Sequence, residues 1–249
     1  SQEEGHPRIH NCTFNHHSGG SLDLWDPAVV KLLQCDMRDW EGIKRHLLPS
    51  EGAHIVVSEL LGSFGDNELS PECLSGVSSV LNQYGVSIPY QYTSYLAPLT
   101  SAKLWMQARD LYEGKGLGMP FVVNMYSCQQ LAKAESVFTF THANGYLNRG
   151  GDNQKKRNNN NSNSAIGAKI VRVKNLAFDR VEQDCTMHGF VGYFDAILYP
   201  EDPQINTNGP VVISTNPHNR SYQMTSWFPM FFPLERPTTL KAEDRVRAT

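Results

Sequence analysis

The chain has 249 residues, 40% of them hydrophobic and 19% charged, with a formal net charge of −3 and a pI of about 6.3. No stretch reaches the roughly 18 consecutive apolar residues that a membrane-spanning helix needs, and the slightly acidic balance excludes nucleic-acid binding by bulk charge. Cys12, Cys35, Cys73, Cys128 and Cys185 are odd in number, widely spaced and without a C-x-x-C pair. That pattern argues against a disulfide framework or a structural zinc site and for a reducing, cytoplasmic or nuclear location.

Residues 1–27 read as an irregular leader with no apolar segment of signal-peptide length. His6, His10, His16 and His17 allow a metal-site reading beside the plainer one of a polar, tag-like tail. The sequons Asn11-Cys12-Thr13 and Asn219-Arg220-Ser221 are chance matches in a cytosolic chain. Order is expected from Pro27. Residues 28–33 read as a buried strand, 36–40 as a polar turn, 42–48 as a short helix, and 54–58 as a second strand ended by Glu59. Ser70, Pro71 and Glu72 supply an N-cap, a first-position proline and a first-turn acid, which predicts a helix over 70–84 with Gly85 as its C-cap. Residues 86–88 form a third strand. The alternation predicts an α/β domain over 28–88 with a parallel sheet.

Past Pro89 the pattern changes to short aromatic and β-branched runs. Residues 121–123, 137–141, 168–173, 190–199 and 227–232 read as strands, with one helix at 103–112. They predict an antiparallel barrel or sandwich over 89–249. Residues 144–164, with Gly150-Gly151 and the run Asn158 to Asn161, read as a low-complexity surface insertion. Seven basic residues and one acid between Arg149 and Lys174 give either an anion-binding patch or a solvated loop.

Between Arg45 and Lys103 lie Glu51, Glu59, Asp66, Glu68 and Glu72 and no lysine or arginine. Carboxylates without local partners are solvated or await a cation. Glu51 precedes a strand and is assigned to solvent; Glu72 is assigned to the helix dipole. Glu59 stands at the carboxyl end of a strand, where α/β folds bind ligands. Gly62 and Gly65 let the following segment turn back and bring Glu68 towards it. Two converging acids suit a guanidinium, whose donors form a fixed fork. Exposed loop acids, and a glycosidase acid/base pair, are the competing readings.

Residues 57–74 (VSELLGSFGDNELSPECL) closely resemble the double-glutamate loop of the protein arginine methyltransferase 5 family, the type II or symmetric branch. Four further segments fit in order. Residues 36–40 (DMRDW) resemble the turn that contacts the cofactor's adenine. Residues 85–89 (GVSIP) with 92–98 (YTSYLAP) resemble the entry to the β-barrel, and 187–194 (MHGFVGYF) a central barrel strand. Residues 226–229 (SWFP) resemble the substrate-facing loop, with Ser-Trp in place of the Thr-His-Trp of type I enzymes.

The resemblance covers about residues 28–240 and implies three parts: the leader, a partial Rossmann-like methyltransferase domain over 28–88, and a β-barrel substrate and dimerisation domain over 89–249. It implies methyl transfer from S-adenosylmethionine to arginine guanidino nitrogens of protein substrates such as histones or arginine–glycine-rich proteins, with symmetric dimethylation. It assigns Glu59 and Glu68 as the catalytic clamp, Asp36 and Met37 to the adenine, and Phe64, Ser226, Trp227 and Phe228 to the substrate. His188 is either a proton sink or a structural histidine. The family's glycine-rich cofactor loop, its ribose-binding acid and its barrel for a β-propeller partner have no counterpart in 1–27, and the chain stops before the family's last barrel strands. A fragment of a longer, homo-oligomeric enzyme is therefore expected, acting without membrane or nucleic acid. The alternative is a catalytically inactive fragment serving as an oligomerisation or arginine-binding module.

Overall fold

The computed structural model describes residues 8–10, 32–46, 52–111, 115–143, 171–200, 208–222 and 224–249. The expected insertion at 144–164 lies outside them, as do most of the leader and of the strand expected at 28–33. Arg8–His10 (β1), within the leader, pairs antiparallel with Leu32–Gln34 (β2). Asp39 caps the short helix Trp40–Lys44 (α1), its side chain accepting from the Gly42 amide.

Ala53–Val57 (β3) and Leu81–Ile88 (β4) form a parallel pair in which Ile55 faces Val86 and Val57 faces Ile88. The Ser58 amide extends the pairing by donating to the Ile88 carbonyl. Between them the helix expected over 70–84 is cut short. Ser70–Cys73 (α2) is one turn, Val77–Ser79 a 3₁₀ turn, and residues 81–88 are strand, with Gly85 inside β4 rather than capping a helix. Ser75, Gly76, Ser78 and Ser79 are weak helix formers. The Ser75 and Ser79 hydroxyls bond the carbonyls of Glu72 and Gly76 instead, closing local turns. Pairing with β3 then draws residues 81–88 into a strand.

The second part is built on antiparallel strands. Its frame is Gln91–Thr100 (β5), Cys185–Tyr199 (β10) and Met230–Leu240 (β12), with β10 between the other two. Phe121–Val122 (β6) pairs with β12; Gln129–Gln130 (β7) and Glu135–Thr141 (β8) pair with β5; Val211–Ser214 (β11) pairs with β10. Leu176–Arg180 (β9) and Arg245–Ala248 (β13) form a separate ladder. Strand β9 lies just beyond the expected 168–173, and residues 171–175 have no regular structure. Among the described residues the seven strands form an open, branched sheet, and no ladder closes it into the expected barrel.

Strand β10 is covered on both faces, so it reads as a nearly continuous apolar run rather than an alternating one. On one face Val191, Tyr193, Ala97, Leu99 and Phe231 pack under Leu104 and Ala108 of Ala102–Asp110 (α3). The Tyr193 and Tyr95 rings, opposite each other in register, stack at 5.9 Å. On the other face Phe194 and Ala196 join Tyr92 and Leu61, a residue of the loop between β3 and α2. The acid-bearing loop is thus packed into the core of the β part.

Candidate functional site

Glu59 follows Ser58 at the carboxyl edge of the β3–β4 pair, where the sequence places it. The chain then reverses. Gly62 and Gly65 exchange backbone hydrogen bonds of 3.1 and 2.8 Å around Ser63 and Phe64. Gly65 has φ +88°, which glycine adopts freely, and a Cβ on Gly62 would lie 2.2 Å from the Asn67 amide. The Asn67 side chain accepts from the Phe64 amide at 2.8 Å and ties the two arms. Glu59 lies three residues before Gly62 and Glu68 three after Gly65, so the acids occupy matching places on the two arms. Both are exposed.

The tip of this hairpin rests on the sheet. The Ser94 hydroxyl donates to the Phe64 carbonyl at 2.7 Å. The Phe64 ring meets Phe232 edge-on at 5.2 Å and lies over Gly192. Trp227 adds a clasp, its indole N–H donating to the Leu61 carbonyl while its ring stands edge-on to Phe194. The strand expected over 227–232 starts only at Met230, because Trp227 has φ +57°, a left-handed conformation that breaks the ladder and turns its ring onto the loop.

A shallow, open cleft of about 580 Å³ lies beside this contact. Glu59 lines one side; Ile213, Ser221, Tyr222, Met224, Thr225, Ser226 and Trp227 line the rest. The structure therefore brings together Glu59, Ser226 and Trp227 of the expected residues. Glu68 and Phe64 are not among the lining residues: Phe64 supports the hairpin from beneath. Phe228 is half-buried under the Arg220 guanidinium, 4.9 Å away, and Arg220 also donates to the Met224 carbonyl. Ser221, Tyr222, Met224 and Thr225 escaped sequence reading. No periodicity marks an irregular loop, and only proximity to Ser226-Trp227 hinted at them.

Asp36 and Met37 are exposed on the turn before α1. Both Asp36 carboxylate oxygens are engaged by Arg38, through its amide and guanidinium, and this hydrogen bonding holds the carboxyl well below the usual carboxylate range. Glu72 is not left to a helix dipole, since α2 is a single turn. Its partner is Arg172, one hundred residues along the chain, at 2.9 Å, with the guanidinium also over Phe140. Asp66 is half-buried, and that burial pushes its carboxyl up. His188 is half-buried, its Nδ1 within 3.3 Å of the Ser101 amide and 3.2 Å of the Thr100 hydroxyl. Those contacts fit a structural histidine. Among the described residues no cluster of His, Cys, Asp and Glu is arranged to hold a metal ion.

Family models match the chain in two consecutive stretches: "PRMT5 arginine-N-methyltransferase" over residues 12–88 and "PRMT5 oligomerisation domain" over residues 91–249. Among curated relatives, protein arginine N-methyltransferase 5 of Xenopus laevis is 38% identical over 233 residues, 92% of this chain and 31% of that protein. The rice (Oryza sativa subsp. indica) protein of the same name is 37% identical over 229 residues, 91% of this chain and 30% of its own length. Protein arginine N-methyltransferase skb1 of Schizosaccharomyces pombe is 36% identical over 216 residues, 84% of this chain and 30% of that protein. The chain thus spans about a third of the length of these relatives. Among solved structures, the Trypanosoma brucei PRMT1 enzyme–prozyme heterotetrameric complex with AdoHcy superposes with a TM-score of 0.54 at 13% identity, covering 83% of this chain and 60% of that one. At that identity the likeness is one of fold: a methyltransferase-like arrangement with a β part.

Proposed function

The chain belongs to the protein arginine methyltransferase 5 family, and from that premise we propose that it is the carboxyl-terminal catalytic portion of an S-adenosylmethionine-dependent protein-arginine N-methyltransferase. The observation that carries this reading is the hairpin with a glutamate on each arm, one of them opening onto the cleft walled by Ser226 and Trp227.

Bound S-adenosylmethionine supplies an electrophilic methyl carbon. Asp36 and Met37 would hold its adenine, the acid accepting from the amino group. For that, the Arg38 guanidinium has to move off Asp36. The pair is exposed, and such pairs are held weakly in water. Glu59 and Glu68 bind the guanidinium and aim one nitrogen at the methyl carbon, and placement and charge lower the barrier. With a pKa above about 12, a guanidinium is not deprotonated in advance. The acids draw its positive charge onto the other nitrogens, leaving the attacking one more nucleophilic. Once methylated, the guanidinium would have one proton to lose, and the carboxylate of Glu59 or Glu68 would take it late. Trp227 walls the arginine stem, with Ser226 beside it and Phe228 behind.

The finer reading is symmetric dimethylation of histones or arginine–glycine-rich proteins, in the cytoplasm and nucleus, by a homo-oligomer whose 89–249 part is the substrate and dimerisation domain. The competing reading is an inactive oligomerisation or arginine-binding module, separable by calorimetric titration with S-adenosylmethionine. The deciding test is methyl transfer from labelled cofactor to an arginine–glycine-rich peptide by the full-length protein. Glu59→Gln and Glu68→Gln are each expected to cut turnover by roughly 10- to 100-fold or more with the fold intact. Near-normal turnover in either variant removes that acid from the clamp.

A further inference from the structure

The two arms of the acid hairpin are secured differently. On the Glu59 side, strand β3 and the Trp227–Leu61 contact fix the chain. On the Glu68 side there is no ladder. The chain passes through Leu69, with φ +62°, into Ser70 and the single turn α2. A left-handed leucine persists only where its surroundings hold it.

The hold is polar and buried. Ser70 is 1% exposed, and its hydroxyl lies 3.3 Å from Nε2 of His142, which is 7% exposed and directly follows β8. The other ring nitrogen, Nδ1, lies 2.7 Å from the Pro89 carbonyl oxygen. A carbonyl only accepts, so Nδ1 carries the proton. In the neutral ring Nε2 then offers a lone pair, and the Ser70 hydroxyl donates to it. The His142 amide donates to the Tyr90 carbonyl at 2.9 Å, fixing the backbone from which the ring projects. The ring stands edge-on to Tyr92, 5.8 Å between centroids, and that same Tyr92 lies against Gly65. Burial favours the neutral ring.

We propose that His142 is a positioning residue for the acid hairpin: its Nδ1-protonated ring, anchored on Pro89, holds Ser70 and thereby sets the direction in which Glu68, two residues earlier, leaves the hairpin. The consequence for rate rests on the methyl-transfer reading above; the anchoring of the loop does not.

The test uses the full-length protein with Ser70→Ala and His142→Asn. The asparagine amide can still donate to Pro89 but has no atom at the Nε2 position. Hydrogen exchange at the Leu69, Cys73 and Leu74 amides, which close the turns behind Glu68, is expected to rise at least tenfold in both variants, while amides of β5 and β10 keep their rates. Imidazole nitrogen spectra of the unsubstituted protein are expected to show His142 protonated on Nδ1. If methyl transfer is present, kcat per folded molecule falls about tenfold with KM for the cofactor unchanged; normalising to the folded fraction, read by circular dichroism, removes the drop that a general loss of stability produces by itself. Unchanged exchange in both variants, or an Nε2-protonated ring, overturns the proposal. Should His142→Asn fail to fold, Ser70→Ala and the ring spectrum decide alone. Absence of methyl transfer in the unsubstituted protein would sink the enzymatic reading and leave the exchange result standing.

Discussion

Phe64 shows how one side chain can serve a site it does not line. Its ring fills the space over Gly192, and a Cβ built there would lie 2.5 Å from Phe64 Cδ2 and 2.7 Å from Phe232 Cε2. Gly192→Ala is therefore an overpacking change, expected to cost about 1–3 kcal/mol by urea denaturation and to push Phe64, and the hairpin with it, off the sheet. Denaturation indistinguishable from the unsubstituted protein would mean that the rings yield freely and do not seat the loop. Residue identity made part of this site legible. Glu59 and Glu68 stood out because no cation lies near them in sequence, and Trp227 because of the segment it sits in. The partner of Glu72 was not legible, since Arg172 is one hundred residues away and only folding brings it close. Nor was the placement of Phe64 beneath the loop rather than in the cleft. An aromatic residue between two glycines says nothing of which face it will cover.

At the scale of elements, helix α3 was readable from sequence to within two residues at each end: 103–112 expected, Ala102–Asp110 found. Its start is set by Ser101, whose hydroxyl oxygen accepts from the Leu104 amide and donates to the Ser127 carbonyl at 2.9 Å. Ser101→Ala removes the cap and leaves the Ser127 carbonyl without that donor. The expected loss is about 1 kcal/mol, seen as a lower midpoint in urea at unchanged slope. No loss would show that water replaces both contacts. The helix expected at 70–84 failed for a reason of the same scale. Its start signals at Ser70 and Pro71 are real and do begin α2. Serines bonding their own turns stop it, and pairing with β3, about thirty residues earlier, turns the remainder into strand. Local capping rules see the beginning of a helix and are blind to a distant strand. The open branching of the sheet around β10 was likewise hidden, because runs of alternating residues carry no record of which strand pairs with which.

For the molecule as a whole, the acid hairpin belongs by sequence to the first part and by packing to the second, and His142 is one of the groups that joins them. That contact has a pH signature with a definite sign. From β5, Tyr92 faces the ring; from α2, Ser70; from the link before β5, the Pro89 carbonyl, while the Tyr90 carbonyl takes the His142 backbone amide. Asp66, Glu72 and Arg172 lie beyond, around Tyr92. Burial is the largest influence on His142 and lowers its pKa below the ordinary 6.5, ahead of the opposing bond to Pro89. The unfolded chain then binds more protons than the folded one as pH drops below about 6.5, so stability rises with pH across that window. The His142 contribution is fully present above 6.5 and is lost as pH falls through the folded value. Asp66 acts with the opposite sign: burial raises its carboxyl above 3.8, so its contribution is present at lower pH and is lost as pH rises through the folded value. The melting temperature is therefore expected to fall between pH 7.5 and 5.5, and His142→Asn to flatten that slope while lowering the plateau. The same slope in the variant would assign the acid sensitivity to other groups and leave His142 uncoupled from the joining of the two parts.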